Sequence, residues 1–315
     1  MTNGVLVLDA AQTRAGLDPD RLAEALTRAL VAVADGTVSA PPRIAAEAPA
    51  GLLGVMPAHV PGVGLAAKLV SVFADPAVPG RSSHRGVVAL FDETDGRPLA
   101  VMDAESITAV RTAATATLAL RTLAGPQVRR IAVLGTGVQA GAQLDLLARY
   151  FPHTPVVVGG RDPERARSLA ARHPRSTAGT VEDAVRGSGA VLCCTGAREP
   201  VLRRSWLAEG AHVGSVGGSR GPELDARTVD EGALFVEWTG AVTAPPPAGA
   251  HELQGLTAGR AVLLGEVLSG RHPGRRGDGE LTVFKSTGHA ALDVAAAAVA
   301  YAGALEDGRG TSLAF

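Results

Sequence analysis

The residues best placed to do chemistry lie in two glycine-rich turns. Gly135-Thr136-Gly137-Val138-Gln139-Ala140 follows the strand-like run RIAVLG (130–135) and opens a helix-patterned stretch. In such a turn the first glycine permits the tight bend and the second lets the backbone approach a pyrophosphate. The small third residue lets helix pack on strand, and the helix N-terminus adds a field that favours phosphate. The chemistry implied is dinucleotide binding through Gly135 and Gly137; the bland alternative is a glycine-rich strand–helix turn without ligand. The next strand-like run ends Gly159-Gly160-Arg161-Asp162-Pro163, roughly 20 residues on, where an acidic residue would hold the ribose hydroxyls of NAD. Glycine stands there instead, with Arg161 beside it. A guanidinium pairs bidentately with a 2′-phosphate, so the pattern favours NADP(H), with NAD(H) as the alternative. Asp162, directly before Pro163 and Glu164, reads as a helix cap.

The other candidates are cations. The 315 residues carry 30 basic groups against 31 acidic ones, and of the basic groups only Lys68 and Lys285 are lysines. The excess of arginine is what a GC-rich genome produces, so the surviving lysines stand out. Lys68 sits in the apolar run LAAKLVSVF, either at a snorkelling edge or pointing into a polar pocket. A desolvated ammonium there attracts a carboxylate. Arg111, among small residues of an alanine-rich helix, suits a carboxylate or a phosphate as well as it suits plain surface. Arg43 follows Pro41-Pro42, where an exposed loop arginine is an equal reading. Lys285 stands in TVFKSTG beside Ser286 and Thr287, facing either a ligand or solvent. His84, in a polar turn, is either a proton relay or an ordinary turn residue. His59, His153, His173 and His251 show no ligand spacing, so no metal site is expected.

Composition excludes whole classes. A net charge of −1 lacks the basic footprint of a nucleic-acid binder. With 46% apolar and 19% charged residues the chain is a packed globular one. The adjacent Cys193 and Cys194 support neither a disulfide framework nor a zinc site and read as core packing, which fits a reducing cytoplasm. No basic n-region precedes the first apolar run, and the longest apolar stretch, 295–305, is far below the ~20 residues of a membrane span. A soluble cytoplasmic protein without membrane or nucleic-acid partners is expected.

The elements that must position these residues fall into two rhythms. Asp18-Pro19 opens a helix, with Leu22, Ala25, Leu26, Ala29, Leu30 and Val33 at helical spacing. Short apolar runs at 52–60, 64–73, 86–92 and 98–104 imply an antiparallel or mixed sheet, with a hairpin around residues 93–96. A helix over 105–123 leads out of it. Beyond Pro126, strands at 130–135, 155–160, 190–195, 211–217 and 233–238 alternate with helices or loops, the rhythm of a doubly wound parallel sheet. The stretch 270–280 reads as an exposed loop, and an alanine-rich helix over 289–305 closes the chain.

Together the motifs resemble the ornithine cyclodeaminase/mu-crystallin family over nearly the full length. The matching stretches are LLGVMPAH, KLVSVF, SSHRGVVALFD, PLAVMDAESITAVRTAATA, VLGTGVQAGAQ, REPVL, GAHVGSVGGSR with ELD soon after, LGEVLSG and TVFKSTGHAALDVAAA. Within the family the chain is more similar to the mu-crystallin, or ketimine reductase, branch. The resemblance implies a homodimer whose chain has a Rossmann-type domain, 116–288, and a split α+β substrate and dimerisation domain, 1–115 with 289–315. It implies hydride transfer at the α-carbon of an amino or imino acid, with Arg43, Lys68 and Arg111 holding the substrate carboxylate. By the same resemblance Ser83, His84, Arg111, Thr112, Val138, Gln139, Arg161, Thr195, Val216, Lys285 and Ser286 contact the cofactor. One departure matters: the place of the cyclodeaminases' catalytic aspartate holds Ser219, in a loop about two residues shorter. Imine reduction survives that loss more easily than ammonia-releasing cyclisation.

The resulting expectation is NADPH-dependent reduction of an α-imino acid, such as a cyclic ketimine carboxylate, with Lys68 central to turnover. The rivals are an ornithine or lysine cyclodeaminase-type lyase, an amino-acid dehydrogenase, and a non-catalytic protein that binds a hydrophobic carboxylate.

Overall fold

The computed structural model describes residues 4–73, 84–125 and 128–314. In chain order the first part contains β1 (Gly4–Leu8), α1 (Ala10–Ala15), α2 (Pro19–Ala34), β2 (Ile44–Ala48), β3 (Gly51–Val60), β4 (Gly64–Phe73), β5 (His84–Phe91), β6 (Pro98–Asp103) and α3 (Ala104–Leu123). The second contains β7 (Ile131–Leu134), α4 (Val138–Tyr150), β8 (Val156–Gly159), α5 (Pro163–Ala170), β9 (Ser176–Gly179), α6 (Val181–Val185), β10 (Ala190–Cys193) and β11 (His212–Ser215). It continues with α7 (Ala226–Glu231), β12 (Ala233–Val236), α8 (Gly240–Thr243), β13 (Ala261–Leu263), α9 (Leu264–Leu268) and β14 (Thr282–Lys285). Helix α10 (Ala290–Glu306) and β15 (Thr311–Ala314) close the chain. Two compact units result, Met1–Arg111 with His289–Phe315, and Thr112–Gly288.

The first unit is built on a seven-stranded sheet in the order β15-β1-β6-β5-β4-β3-β2. Strands β3 to β6 form an antiparallel meander, and β1 runs parallel to β6, so the sheet is mixed. The β5–β6 hairpin closes where its turn residues require it, with Gly96 at φ +76°. Side chains alternate across the strands. Ala58, Val60, Ala66, Lys68, Val88 and Met102 are buried on one face, against which α10 packs. The other face presents Ile44, Val55, Leu69 and Val87 in one cross-strand row, with Leu53 and Phe73 two and four residues along. Helix α2 begins as its sequence requires: Asp18 accepts from the backbone N–H of Asp20 and Arg21, and Pro19 takes the first position. Helix α10 is apolar almost all round and crosses α1 very closely. A Cβ on Gly303 would lie 2.7 Å from the Gly16 carbonyl oxygen, so that crossing demands glycine. Edge strands β2 and β15 are exposed along their whole length and carry no alternating pattern, which is why sequence periodicity passes over them.

The second unit is a Rossmann-type α/β domain. Its eight strands, in the order β13-β12-β14-β11-β10-β7-β8-β9, all run parallel. Strands β7, β10, β11 and β14 are buried throughout, as expected of a sheet covered on both faces. The segment 270–280 is the largely exposed loop its composition implies, and one side chain pins it down. Arg275 donates to the Leu123 carbonyl at 2.8 Å and to the Thr282 hydroxyl at 3.1 Å, so this polar loop is anchored rather than loose. Polar composition does not reveal a loop tied down by one long side chain. Among the described residues no helix is long and apolar enough to cross a membrane, and no group of three or more His, Cys, Asp or Glu could hold a metal ion.

Candidate active site

The second unit supplies the carboxyl-end rim of its parallel sheet. Strand β7 is followed by Gly135, whose φ of +119° suits only glycine. A Cβ there would also lie 2.6 Å from the Cys194 carbonyl oxygen, so the next strand's backbone closes the turn. Gly137 caps α4 with no side-chain hydrogen bond, and a Cβ on it would meet nothing within 4 Å. The first-turn N–H groups of α4 therefore lack a side-chain cap and border open space, the arrangement a pyrophosphate fits. Val138 is exposed, while Gln139 keeps a buried Oε1 without a hydrogen-bond partner. At the end of β8, a Cβ on Gly160 would lie 2.8 Å from the Thr136 methyl. Arg161 follows, exposed. Asp162 accepts from the backbone N–H of Glu164 and Arg165, at 3.0 and 3.2 Å; it is the cap of α5.

On the other side of β7 the rim is charged and buried. Glu223 accepts four hydrogen bonds, from the N–H and hydroxyl of Thr195, the Ser215 hydroxyl and the Gly217 N–H. Lys285, 1% exposed, donates to the Ser215 hydroxyl at 2.8 Å and the Gly217 carbonyl at 3.0 Å, and pairs with Glu252 at 3.0 Å. A Cβ on Gly218, at φ +85°, would lie 2.8 Å from that ammonium. Glu237 accepts from the Ser286 hydroxyl and from the N–H groups of Thr287 and Gly288. Val216 is half-buried, while Ser219 is exposed. Cys193 and Cys194 are free and buried, and burial pushes both thiols up, so they pack rather than react.

The first unit holds a separate ionic cluster. Lys68 projects from the middle of β4, 5% exposed, and its Nζ lies 2.7 Å from Asp293 Oδ2. Arg111, equally buried, donates through Nε to Asp293 Oδ1 at 2.9 Å. Burial lowers the Lys68 ammonium; Asp293 opposes this, and Arg111 and Arg43 add to it. Burial works to raise the Asp293 carboxyl, but Lys68 and Arg111 together hold it below its ordinary range. His289, the N-cap of α10, accepts from the Ala291 N–H. Burial pushes it down to about 4, with Arg43 and Arg111 acting in the same direction against Asp293. The structure thus gathers Lys68 and Arg111 on one carboxylate. Arg43, on an exposed stretch before β2, acts on the cluster electrostatically. Thr112 is buried on α3. Ser83 lies outside the described residues, and His84 is described through its backbone alone, as the first residue of β5.

Asp293, His289, Glu223, Glu237 and Glu252 escaped the sequence reading. A signal existed for two of them. Asp293 is the one charge in the run AALDVAAAAVAYAGAL, and Glu237 ends the apolar strand ALFV. An ionisable group at such a place has to find a partner. Glu223 sits in a loop and Glu252 in a single 3-10 turn, His251–Leu253, and neither gives a comparable sign.

Comparison with known proteins agrees with this geometry. The chain is 36% identical over 256 residues to the ketimine reductase mu-crystallin of Mus musculus, covering 80% of each chain. It is similar in structure to Thermococcus litoralis Delta(1)-pyrroline-2-carboxylate reductase, solved in complex with NADH and L-proline. That match has a TM-score of 0.87 at 28% identity and covers 98% of this chain and 100% of that one. It is also similar to an archaeal alanine dehydrogenase dimer with bound NAD, with a TM-score of 0.85 at 28% identity over 99% of each chain. The model of the ornithine cyclodeaminase/mu-crystallin family matches residues 5–308, and the chain belongs to that family.

Proposed function

We propose that this chain is an NADPH-dependent reductase of an α-imino acid, such as a cyclic ketimine carboxylate. The observation that carries the reading is the buried pair Lys68 and Arg111 converging on Asp293. Among the described residues Lys68 pairs with Asp293 alone, while an ammonium has three N–H directions. The remaining directions suit a substrate α-carboxylate, for which Arg111 and Arg43 supply further attraction. Low dielectric strengthens that attraction, and Asp293 holds both cations in place before substrate arrives. Lys68 is also an N–H donor beside the bound carboxylate, and a hydrogen bond from it to the imine nitrogen would polarise the C=N bond toward hydride attack.

The glycine turn fits a dinucleotide. Gly135, Gly137 and the first turn of α4 would hold the pyrophosphate, and Arg161 would pair with a 2′-phosphate. Bound NADPH would supply the hydride. NADH is the alternative cofactor, and the absence of a carboxylate at the end of β8 is what favours the phosphorylated form. Ser219 offers a hydroxyl where a lyase would need a carboxylate, so reduction is preferred over ammonia release.

A second copy of the chain is proposed to cover the outward sheet face of the first unit. Ile44, Leu53, Phe73 and Val87 are 39–67% exposed there in one continuous patch, of the kind that marks association. Mass measurement in dilute solution checks this, and a monomer at micromolar concentration rejects it.

A panel of cyclic ketimine carboxylates, iminosuccinate and α-keto acid plus amine, each with NADPH and with NADH, tests the activity by nicotinamide absorbance. Oxidation of NADPH by at least one imine is expected. No turnover across the panel, or ammonia release from ornithine without net oxidation, sinks the reading.

A further inference from the structure

Glu223 is fully buried, and both of its oxygens are satisfied by its own chain. Oε1 accepts the Thr195 N–H at 2.6 Å and the Thr195 hydroxyl at 2.7 Å. Oε2 accepts the Ser215 hydroxyl at 2.7 Å and the Gly217 N–H at 2.9 Å. A carboxylate has about four lone-pair directions, so four donors leave it nothing for a ligand. Lys285 shares the Ser215 hydroxyl and commits its other two directions to the Gly217 carbonyl and Glu252.

Thr195 follows β10, Ser215 ends β11 and Lys285 ends β14, three neighbouring strands of the sheet. One buried network therefore ties together three adjacent carboxyl ends. In an open parallel sheet that rim is where ligands bind. The glycine turn after β7 belongs to the pyrophosphate, and β8, ending at Arg161, lies on the adenosine side. Strands β10, β11 and β14 lie on the opposite side of β7, where the nicotinamide half has to extend.

We propose that Glu223 is a positioning residue for the nicotinamide half of the cofactor, setting the loops at 195 and 215–217 without itself binding the dinucleotide. This rests on the dinucleotide reading above. The carboxylate is specifically required, because each oxygen faces one backbone N–H, of Thr195 or of Gly217, that cannot turn away. A glutamine in either orientation brings its own NH₂ against one of them. Aspartate keeps the acceptor chemistry but is one methylene shorter.

The test compares wild type, E223Q and E223D by equilibrium binding of NADPH, NADH, ADP-ribose and 2′-phospho-ADP-ribose, together with the emission of bound nicotinamide. The ADP-ribose compounds report the adenosine half alone. E223Q is expected to keep its affinity for them within about twofold while losing about tenfold or more for the reduced dinucleotides. The emission of bound NADPH is expected to move toward that of free NADPH, with E223D intermediate. In turnover assays kcat should fall more than KM for the imine rises. Unchanged NADPH affinity and emission in E223Q overturn the proposal. So does a parallel loss of ADP-ribose affinity and thermal stability, which would mark a purely structural role. If E223Q does not fold, E223D carries the test, with ADP-ribose binding retained and NADPH binding weakened. A wild-type chain that binds none of these nucleotides overturns both this proposal and the dinucleotide reading.

Discussion

The chain's two lysines are both buried, and they occupy opposite situations. Lys285 has an acceptor for each of its three N–H directions: the Ser215 hydroxyl, the Gly217 carbonyl and Glu252. Lys68 meets Asp293 alone among the described residues. Its ammonium is pushed down by burial, with Asp293 opposing. A saturated ammonium is held as a strut is, while one with open N–H directions has the capacity to bind a ligand, the role proposed for Lys68. Burial alone does not distinguish a site from a scaffold; the count of partners against available N–H directions does.

Exchanging the two residues' roles would break that comparison. In the proposed reading Lys68→Ala lowers kcat/KM for the imine by about a thousandfold, roughly 4 kcal/mol of transition-state stabilisation, with the fold retained because Arg111 still neutralises Asp293. Steady-state kinetics and circular dichroism check this, and a loss below tenfold would remove Lys68 from the site. Lys285→Met leaves Glu252 buried without its cation, and is expected to cost about 3–5 kcal/mol of stability. Chemical denaturation measures it. A Lys285→Met protein as stable as wild type would show that the strut is dispensable.

A smaller effect sharpens the contrast at the end of β8, the side proposed for the adenosine half, where Arg161 is exposed. Arg161→Ala should reduce the preference for NADPH over NADH by about tenfold to a hundredfold, read as the ratio of kcat/KM values. An unchanged ratio would assign the 2′-phosphate to another group. Asp162→Ala should cost about 1 kcal/mol through the lost α5 cap, leaving cofactor preference untouched.

Acid tests both units at once. Burial pushes His289 of the first unit from 6.5 to about 4, and His212 of the second from 6.5 to about 3. Each is depressed, so the unfolded chain takes up the proton first. Their contribution is complete above pH 6.5 and is lost as pH falls toward 4 for His289 and toward 3 for His212. The unfolding temperature should therefore fall steadily below neutrality. A His289→Asn variant that flattens the upper part of that fall supports the assignment, and one that leaves it unchanged refutes it.

How far the molecule can be read from residues alone varies with the kind of signal. Helix α2 was legible because Asp18-Pro19 and the Leu22, Ala25, Leu26, Ala29 and Leu30 stripe are local patterns with local causes. Strands β3 and β4 were legible within one residue of their observed ends. Edge strands β2 and β15 were not, since exposed strands need no alternation. The glycine turn and the Asp162 cap depend on neighbours within a few residues, and both were visible. Asp293 was not singled out, although a lone charge in an alanine helix is a local sign; what the sequence does not carry is its partner. The partner, Lys68, lies 225 residues earlier in the chain, on β4.

The sequence by itself determined the alternation of elements, the glycine turn, the choice between an acidic residue and arginine at the end of β8, and the scarcity of lysine. Each is a property of short stretches, where backbone sterics and side-chain periodicity act within a few residues. Only the tertiary structure decided which charges meet. Whether Lys68 or Lys285 keeps an N–H direction for a ligand depends on acceptors supplied from distant segments: one carboxylate from α10 in the first case, and β11, its following loop and Glu252 in the second. Desolvation makes those meetings obligatory for a buried charge, but it does not specify the partner, because the packing of the sheet sets the distances.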